Sequence, residues 1–198
     1  DGTAHDARGR IRREWAAEVR PTIRLPARDT GVHVTDHVLA IDLGTGGPKV
    51  ALVALDGTIV AHEFEPTQLT ILRGGGAEQD PDEWWSAITT AVRRLLAGEP
   101  TPPAIAAVAV TAHGSGTVAV GADDRPVRPA VIWMDSRGAE AIADVVGGPV
   151  NVMGYDPRKL RAFVQRTGGA PSHSGKDAIS HSVWINRAEH EAYARTMT

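Results

Sequence analysis

From residue 37 onward the apolar positions first come in short dense runs and later at helical spacing. HVLAIDL (37–43) and KVALVAL (49–55) are apolar enough for strands. Asp56-Gly57, which follows, is a dipeptide favoured in two-residue hairpin turns. TIVAHEFEPT (58–67) reads as a third strand, so the spacing predicts an antiparallel meander. The period then lengthens. Trp84, Trp85, Ile88, Val92, Leu95 and Leu96 recur on one helical stripe and are expected to be core. Asp80 suits the N-cap, Pro81 the first helical position, and Glu83 a capping box. Gly98 and Pro100 stop the helix.

Further along, AIAAVAV (104–110) predicts a buried strand, TVAV (117–120) another, and DDRP a turn before PAVIW. Helical patterns follow from Asp156 to Thr167 and from Asp177 to Thr196. A meander followed by a helix, strands and more helices predicts an α/β layer fold.

Composition narrows the classes. The chain has 198 residues, 42% hydrophobic and 23% charged, as a globular domain would. A net charge of -3 provides no global field for nucleic acid or an anionic membrane. No apolar run reaches the roughly 18 residues of a membrane span. Cysteine is absent, which excludes disulfides, thiolate metal sites and thiol catalysis, and fits a reducing cytosol. Residues 1–36 hold seven arginines and no lysine. They are expected to form a poorly ordered extension, with RIRREWAAEVR able to form a short helix carrying Ile11, Trp15 and Val19. Val34 is expected to mark a start codon read as valine. A chain opening at Asp1 and closing at Thr198 after a helical pattern is expected to be a piece of a longer protein.

The stretch AIDLGTGGPKVAL (40–52) poses the chemical question. A Walker loop needs lysine directly after glycine and then a hydroxyl. Here Pro48 intervenes and Val50 replaces the hydroxyl. A dinucleotide fingerprint must open a helix, and here a strand follows. What remains is a tight glycine turn between antiparallel strands. The N–H groups of Thr45, Gly46 and Gly47 can form an anion-binding concavity. Thr45 adds a hydroxyl and Lys49 a charge. Asp42, at the end of the first strand, can hold Mg²⁺ through water. A plain hairpin with a structural aspartate is the alternative.

This strand–DLGT–turn–lysine–strand pattern resembles the first phosphate motif of actin-like ATPases. EQDPDEWWSAI (78–88), DDRPVRPAVIWMDSR (123–137) and HSVWINRAEHEAYART (181–196) are similar to successive motifs of the FGGY carbohydrate kinases, xylulokinases especially. The resemblance implies two ribonuclease H-like domains around a cleft. Residues 37–198 would be a partial N-terminal, sugar-binding domain, truncated at its C-terminal end. It implies ATP and Mg²⁺ as cofactors and a small sugar or polyol as substrate, a pentulose such as xylulose foremost. A cytoplasmic location, a possible homodimer of the full-length parent, and no nucleic-acid or membrane partner also follow. The catalytic base is expected downstream of Thr198, which would leave this chain inactive alone.

Carried over residue by residue, the resemblance gives Asp42 the metal side and Thr45, Gly46, Gly47 and Lys49 the phosphate turn. His113, Gly114 and Ser115 fall on the sugar-facing loop. There TAHGSG departs from the xylulokinase pattern and approaches that of L-xylulose and erythritol kinases. His113 can equally be a hydrogen-bonded structural residue beneath that loop. Trp133 is a candidate sugar wall, and Asp135 with Arg137 a structural ion pair holding the loop or, alternatively, direct ligands. Lys176 and Asp177 are candidates for the sugar hydroxyls, with Asp177 alternatively a helix N-cap. The competing reading is an actin-like ATPase module that switches a protein partner, which would have no need of the sugar-loop and W-x-D-x-R motifs.

Overall fold

The computed structural model of the protein describes residues 36–100 and 103–197. The arginine-rich extension, its expected helix and Val34 lie outside the described residues.

The expected meander is present. Strand β1 (Asp36–Gly44) pairs antiparallel with β2 (Gly47–Ala54), and β2 with β3 (Ile59–Phe64). Helix α1 (Pro81–Ala97) then carries the chain across to β6 (Ala104–Ala112), which lies parallel to β1. The four strands stand in the order β3-β2-β1-β6.

Helix α1 forms for local reasons. The Asp80 side chain accepts the N–H of Asp82 at 2.9 Å, and Pro81 supplies a preset φ at the start. Its buried residues are Trp84, Ala87, Ala91 and Leu95, one per turn. Ala91 and Leu95 pack with Leu39, Val50 and Leu52 of the sheet. Trp84 packs with Ala77, Ala130 and Ile132. Trp85 departs from expectation and is 69% exposed. Adjacent helical residues are turned about 100° apart, so only one of the two tryptophans can follow the buried stripe. Glu83 does not close a capping box; it accepts the N–H of Gln68 at 3.0 Å and ties down the segment after β3. At the other end, Arg94 grips β3 through Glu63 (2.6 Å), Glu65 (2.8 Å) and the carbonyl of Phe64 (2.7 Å).

A second sheet was not expected. Strands β4 (Thr70–Leu72), β5 (Gly76–Gln79) and β7 (Ala130–Val131) pair antiparallel in that order. The β4–β5 turn runs through Gly74 (φ 76) and Gly75 (φ 86), left-handed values that glycine adopts freely. TVAV forms only isolated bridges, Thr117 to Val131 and Val120 to Pro126. Proline at 126 and 129 cannot donate to a longer ladder.

AIAAVAV is a strand but not a buried one: Val108 is 58% and Val110 68% exposed. It is an edge strand among the described residues, with neighbours on one side only.

Four helices follow. Helix α2 (Gly138–Val146) has no side-chain cap, which left no start signal in the sequence. Helix α3 (Pro157–Thr167) matches the span expected from Asp156 to Thr167; Asp156 caps it and it ends at Gly168 in the left-handed region. The stretch expected as one helix from Asp177 is two, α4 (Ala178–Ala188) and α5 (His190–Arg195), broken at Glu189.

Candidate functional site

The β1–β2 hairpin turns at Thr45-Gly46, with Gly44 opposite Gly47 and Asp42 opposite Lys49. Gly47 has φ +130, and a Cβ there would meet the Glu65 carbonyl oxygen at 2.0 Å. Only glycine fits. Gly46 faces open space. Lys49 Nζ lies 3.4 Å from Asp42 Oδ2, with both side chains about half or more exposed. The turn therefore presents a lysine, a carboxylate and glycine backbone at the surface. Hydrogen bonds hold the turn in place. Gly46 O accepts the N–H of Thr67 at 3.2 Å. Thr45 O accepts Gln79 Nε2 at 2.9 Å, and Thr45 Oγ1 accepts the indole N–H of Trp133 at 2.9 Å.

Strand β6 delivers the 113–116 loop to the same end of the sheet, since Asp42 pairs with Thr111 and Leu43 with Ala112. His113 donates its backbone N–H to Leu43 O at 3.0 Å, and its ring Nδ1 lies 3.1 Å from that oxygen. A carbonyl only accepts, so Nδ1 carries the proton. The ring also meets Trp84 edge-on at 5.5 Å between centroids. These contacts make His113 a support under the loop, the structural alternative raised by its sequence. Gly114 is open on its Cβ side, and Ser115 stands exposed at φ 58. The hairpin, this loop and the 45%-exposed Trp133 thus converge where parallel β1 and β6 end, the side on which open α/β sheets bind ligands.

Asp135 and Arg137 belong to a closed network. Asp135 is fully buried and accepts the N–H of Ala77 (2.8 Å) and Arg137 Nη2 (2.6 Å). Glu78 Oε1 accepts Arg137 Nη2 and Arg128 Nη2, both at 2.5 Å, while Arg128 Nε donates to Glu189 at 2.6 Å. The Trp184 ring lies under Arg137, 3.9 Å from its guanidinium carbon. Burial pushes the Asp135 carboxyl up, but the hydrogen bonds from Arg137 and Ala77 outweigh it and hold the group below its ordinary value. This is the ion pair expected from W-x-D-x-R. Glu189 breaks the C-terminal helix at the residue where it reaches Arg128.

His181 is fully buried, with Nε2 3.3 Å from Asp135 O and Nδ1 3.1 Å from Thr117 Oγ1. Burial depresses its pKa, so the ring is neutral: Nε2–H donates to the carbonyl and the threonine hydroxyl donates to Nδ1.

Lys176 and Asp177 sit in the 172–177 loop, which packs on the start of α2. A Cβ on Gly175 would meet Ala139 N at 2.1 Å. Lys176 is exposed. Asp177 is engaged as an N-cap: Oδ1 accepts Ser180 N at 2.9 Å and Oγ at 2.5 Å, and Oδ2 accepts Ser172 N at 2.7 Å. Its carboxylate is occupied within its own loop, which favours the capping role over the substrate one.

Sequence reasoning assigned no role to Glu78, Gln79 and Thr67, although these polar residues hold the site from behind. The available signal was a charged–amide pair directly before an N-cap aspartate and next to a glycine triplet.

Among the described residues no group of three His, Asp or Glu side chains is arranged to hold a metal. A lone exposed carboxylate at Asp42 fits Mg²⁺ held partly by water and substrate phosphates rather than in a protein cage.

The sequence matches the N-terminal domain of the FGGY family of carbohydrate kinases over residues 37–195. It is 33% identical to a xylulose kinase of Streptomyces coelicolor over 159 residues, 78% of this chain and 29% of that protein. It is 36% identical to an erythritol kinase of Brucella abortus over 119 residues, 59% of this chain and 22% of that protein. Among solved structures, a xyloylose kinase from Brucella ovis superposes with a TM-score of 0.69 at 27% identity, over 81% of this chain and 31% of that one. A xylulose kinase from Rhodospirillum rubrum superposes equally well, TM-score 0.69, at 24% identity over 82% and 32% of the two chains, a likeness of fold. The chain spans under a third of the length of the relatives it matches. The fold of these neighbours is the ribonuclease H-like fold of actin-like ATPases, and the chain belongs to the FGGY family of carbohydrate kinases.

Proposed function

We propose that this chain forms the sugar-side domain of a kinase moving the γ-phosphoryl group of ATP to a hydroxyl of a pentulose such as xylulose. The observation that carries the reading is the Trp133–Thr45 hydrogen bond, which joins the glycine turn to the W-x-D-x-R segment at one end of the sheet. A phosphate-binding element and an aromatic wall then lie side by side, as transfer to a bound hydroxyl requires. The Gly46 N–H, the Thr45 hydroxyl and Lys49 bind phosphate oxygens. Asp42 would hold Mg²⁺ through water, and the ion would supply charge that offsets what develops on the phosphates. Gly114 and Ser115 edge the sugar, and Trp133 covers its apolar face. The general base lies outside the residues discussed, so the chain alone turns nothing over.

The test is sugar-dependent ATP turnover in a polypeptide carrying this chain together with the rest of the family length. Asp42→Ala is expected to abolish measurable turnover with an unchanged far-UV circular dichroism spectrum. Near-normal turnover would remove the metal role. Ser115→Asn, which tolerates the left-handed backbone at that position, is expected to raise KM for the sugar well above any change in KM for ATP. Equal changes would return the loop to the scaffold. Phosphosugar formation by residues 38–198 alone, at roughly 1–100 per second, would show that the base is already present.

A further inference from the structure

Neighbouring residues of a strand face opposite sides, and β5 ends by using both. Glu78 turns to the two arginines. Gln79 turns to the hairpin, is 2% exposed, and places Nε2 2.9 Å from Thr45 O, 3.1 Å from Gln68 O and 3.3 Å from Thr67 Oγ1. Two of these partners are carbonyls, so it is the amide nitrogen that faces them. On the outer side the Trp133 indole N–H occupies an acceptor position of the Thr45 hydroxyl, whose own proton stays available to a ligand. The Thr45–Gly46 peptide is trans, so its N–H points opposite its C=O. Drawing the carbonyl of Thr45 inward to Gln79 aims the N–H of Gly46 outward.

We propose that Gln79 and Trp133 are positioning residues that clamp Thr45 from two sides, Gln79 through its carbonyl and Trp133 through its hydroxyl. The clamp gives the turn a fixed donor geometry before phosphate arrives. Through Trp133 it also couples the phosphate turn to the substrate-side wall. The kinetic consequence rests on the phosphoryl-transfer reading, but the structural one does not.

The experiment has two arms. In the ¹⁵N-labelled chain, backbone order parameters are measured for Gln79→Leu and Trp133→Phe. The Gly46 amide is expected to fall from about 0.85 to below about 0.6 in Gln79→Leu, and by less in Trp133→Phe, with Val50 and Leu52 unchanged. Unchanged order at Gly46 in both variants would overturn the clamp. So would a loss spread evenly over β2. If Gln79→Leu fails to fold, Trp133→Phe, at a partly exposed site, decides the same question by the same readout. In the complete kinase, Trp133→Phe keeps the aromatic wall and loses only the N–H. It is expected to lower kcat by about tenfold or more, with KM for xylulose within about twofold. A raised sugar KM at unchanged kcat would overturn the coupling. A wild-type kinase without sugar-dependent turnover would sink the phosphoryl-transfer reading, while the order parameters still decide the clamp.

Discussion

The glycine hairpin and the Glu78–Arg137 network flank the same short strand and use their polar groups in opposite ways. In the network every described carboxylate meets a guanidinium, and the aromatic ring of Trp184 closes one face. In the hairpin the inward carbonyls of Thr45 and Gly46 are bonded while Lys49, Asp42 and Gly46 stay at the surface. In the first arrangement every carboxylate is engaged, with only Arg128 Nη1 left buried without a partner, so its charges act on the fold. The second is half-satisfied, so its remaining donors can act on a ligand. Motif membership alone did not separate the two: W-x-D-x-R supplies both a buried ion pair and, at Trp133, a surface wall.

Breaking the network should cost most. Asp135→Ala strands the N–H of Ala77 and removes a buried partner of Arg137, so about 3–5 kcal/mol of stability should be lost in urea denaturation. A loss below about 1 kcal/mol would mean the ion pairs are dispensable and the contrast is false. Gly47→Ala comes next. The new Cβ meets the Glu65 carbonyl in a backbone region glycine alone occupies freely, at a cost of about 1–3 kcal/mol. An alanine tolerated there would show that the hairpin yields.

The pH dependence is smaller and has a definite sign. The pKa of His181 is lower folded than unfolded, so the unfolded chain binds more protons. Its contribution is complete above the unfolded value of about 6.5 and is lost as pH falls through the folded value. Asp135, also depressed, adds a loss only as pH falls below about 4. The thermal midpoint should therefore decline from pH 7 toward pH 5, and His181→Gln should flatten that decline. An equal slope in the variant would place the titration elsewhere. Least affected should be the stability of Asp42→Ala, which removes an exposed pair worth about 0.2–1 kcal/mol. A large loss there would make Asp42 part of the scaffold rather than the site.

The strands of the meander, the start of α1 and the cap at Asp177 were legible in the sequence because each follows from residues within a few positions. Asp56-Gly57 set the turn, and Asp80-Pro81 the helix start. Helix α2 was not legible, because it has no capping side chain and leans instead on Ser180, whose carbonyl a Cβ on Gly138 would touch at 2.7 Å. The exposure of Val108 and Val110 was hidden for a different reason: an apolar run states what a strand can bury, not whether a neighbour covers it. In the site, the residues of the glycine turn were legible from their spacing. Gln79 and Thr67 were not, since their partners lie 34 and 21 positions away in Thr45 and Gly46.

The bond from Trp133 to Thr45 spans 88 residues, and that from Asp135 to Ala77 spans 58. The meander and α1, by contrast, are contiguous between residues 36 and 97. Closing long loops is entropically costly and slow relative to local pairing. On a chain emerging from the ribosome, the glycine hairpin forms well before the tryptophan that clamps it has been synthesised. Gln79 therefore takes hold of the turn early and Trp133 late, and on the proposed reading a nascent chain arrested before Trp133 would carry the whole glycine turn with only half of its clamp.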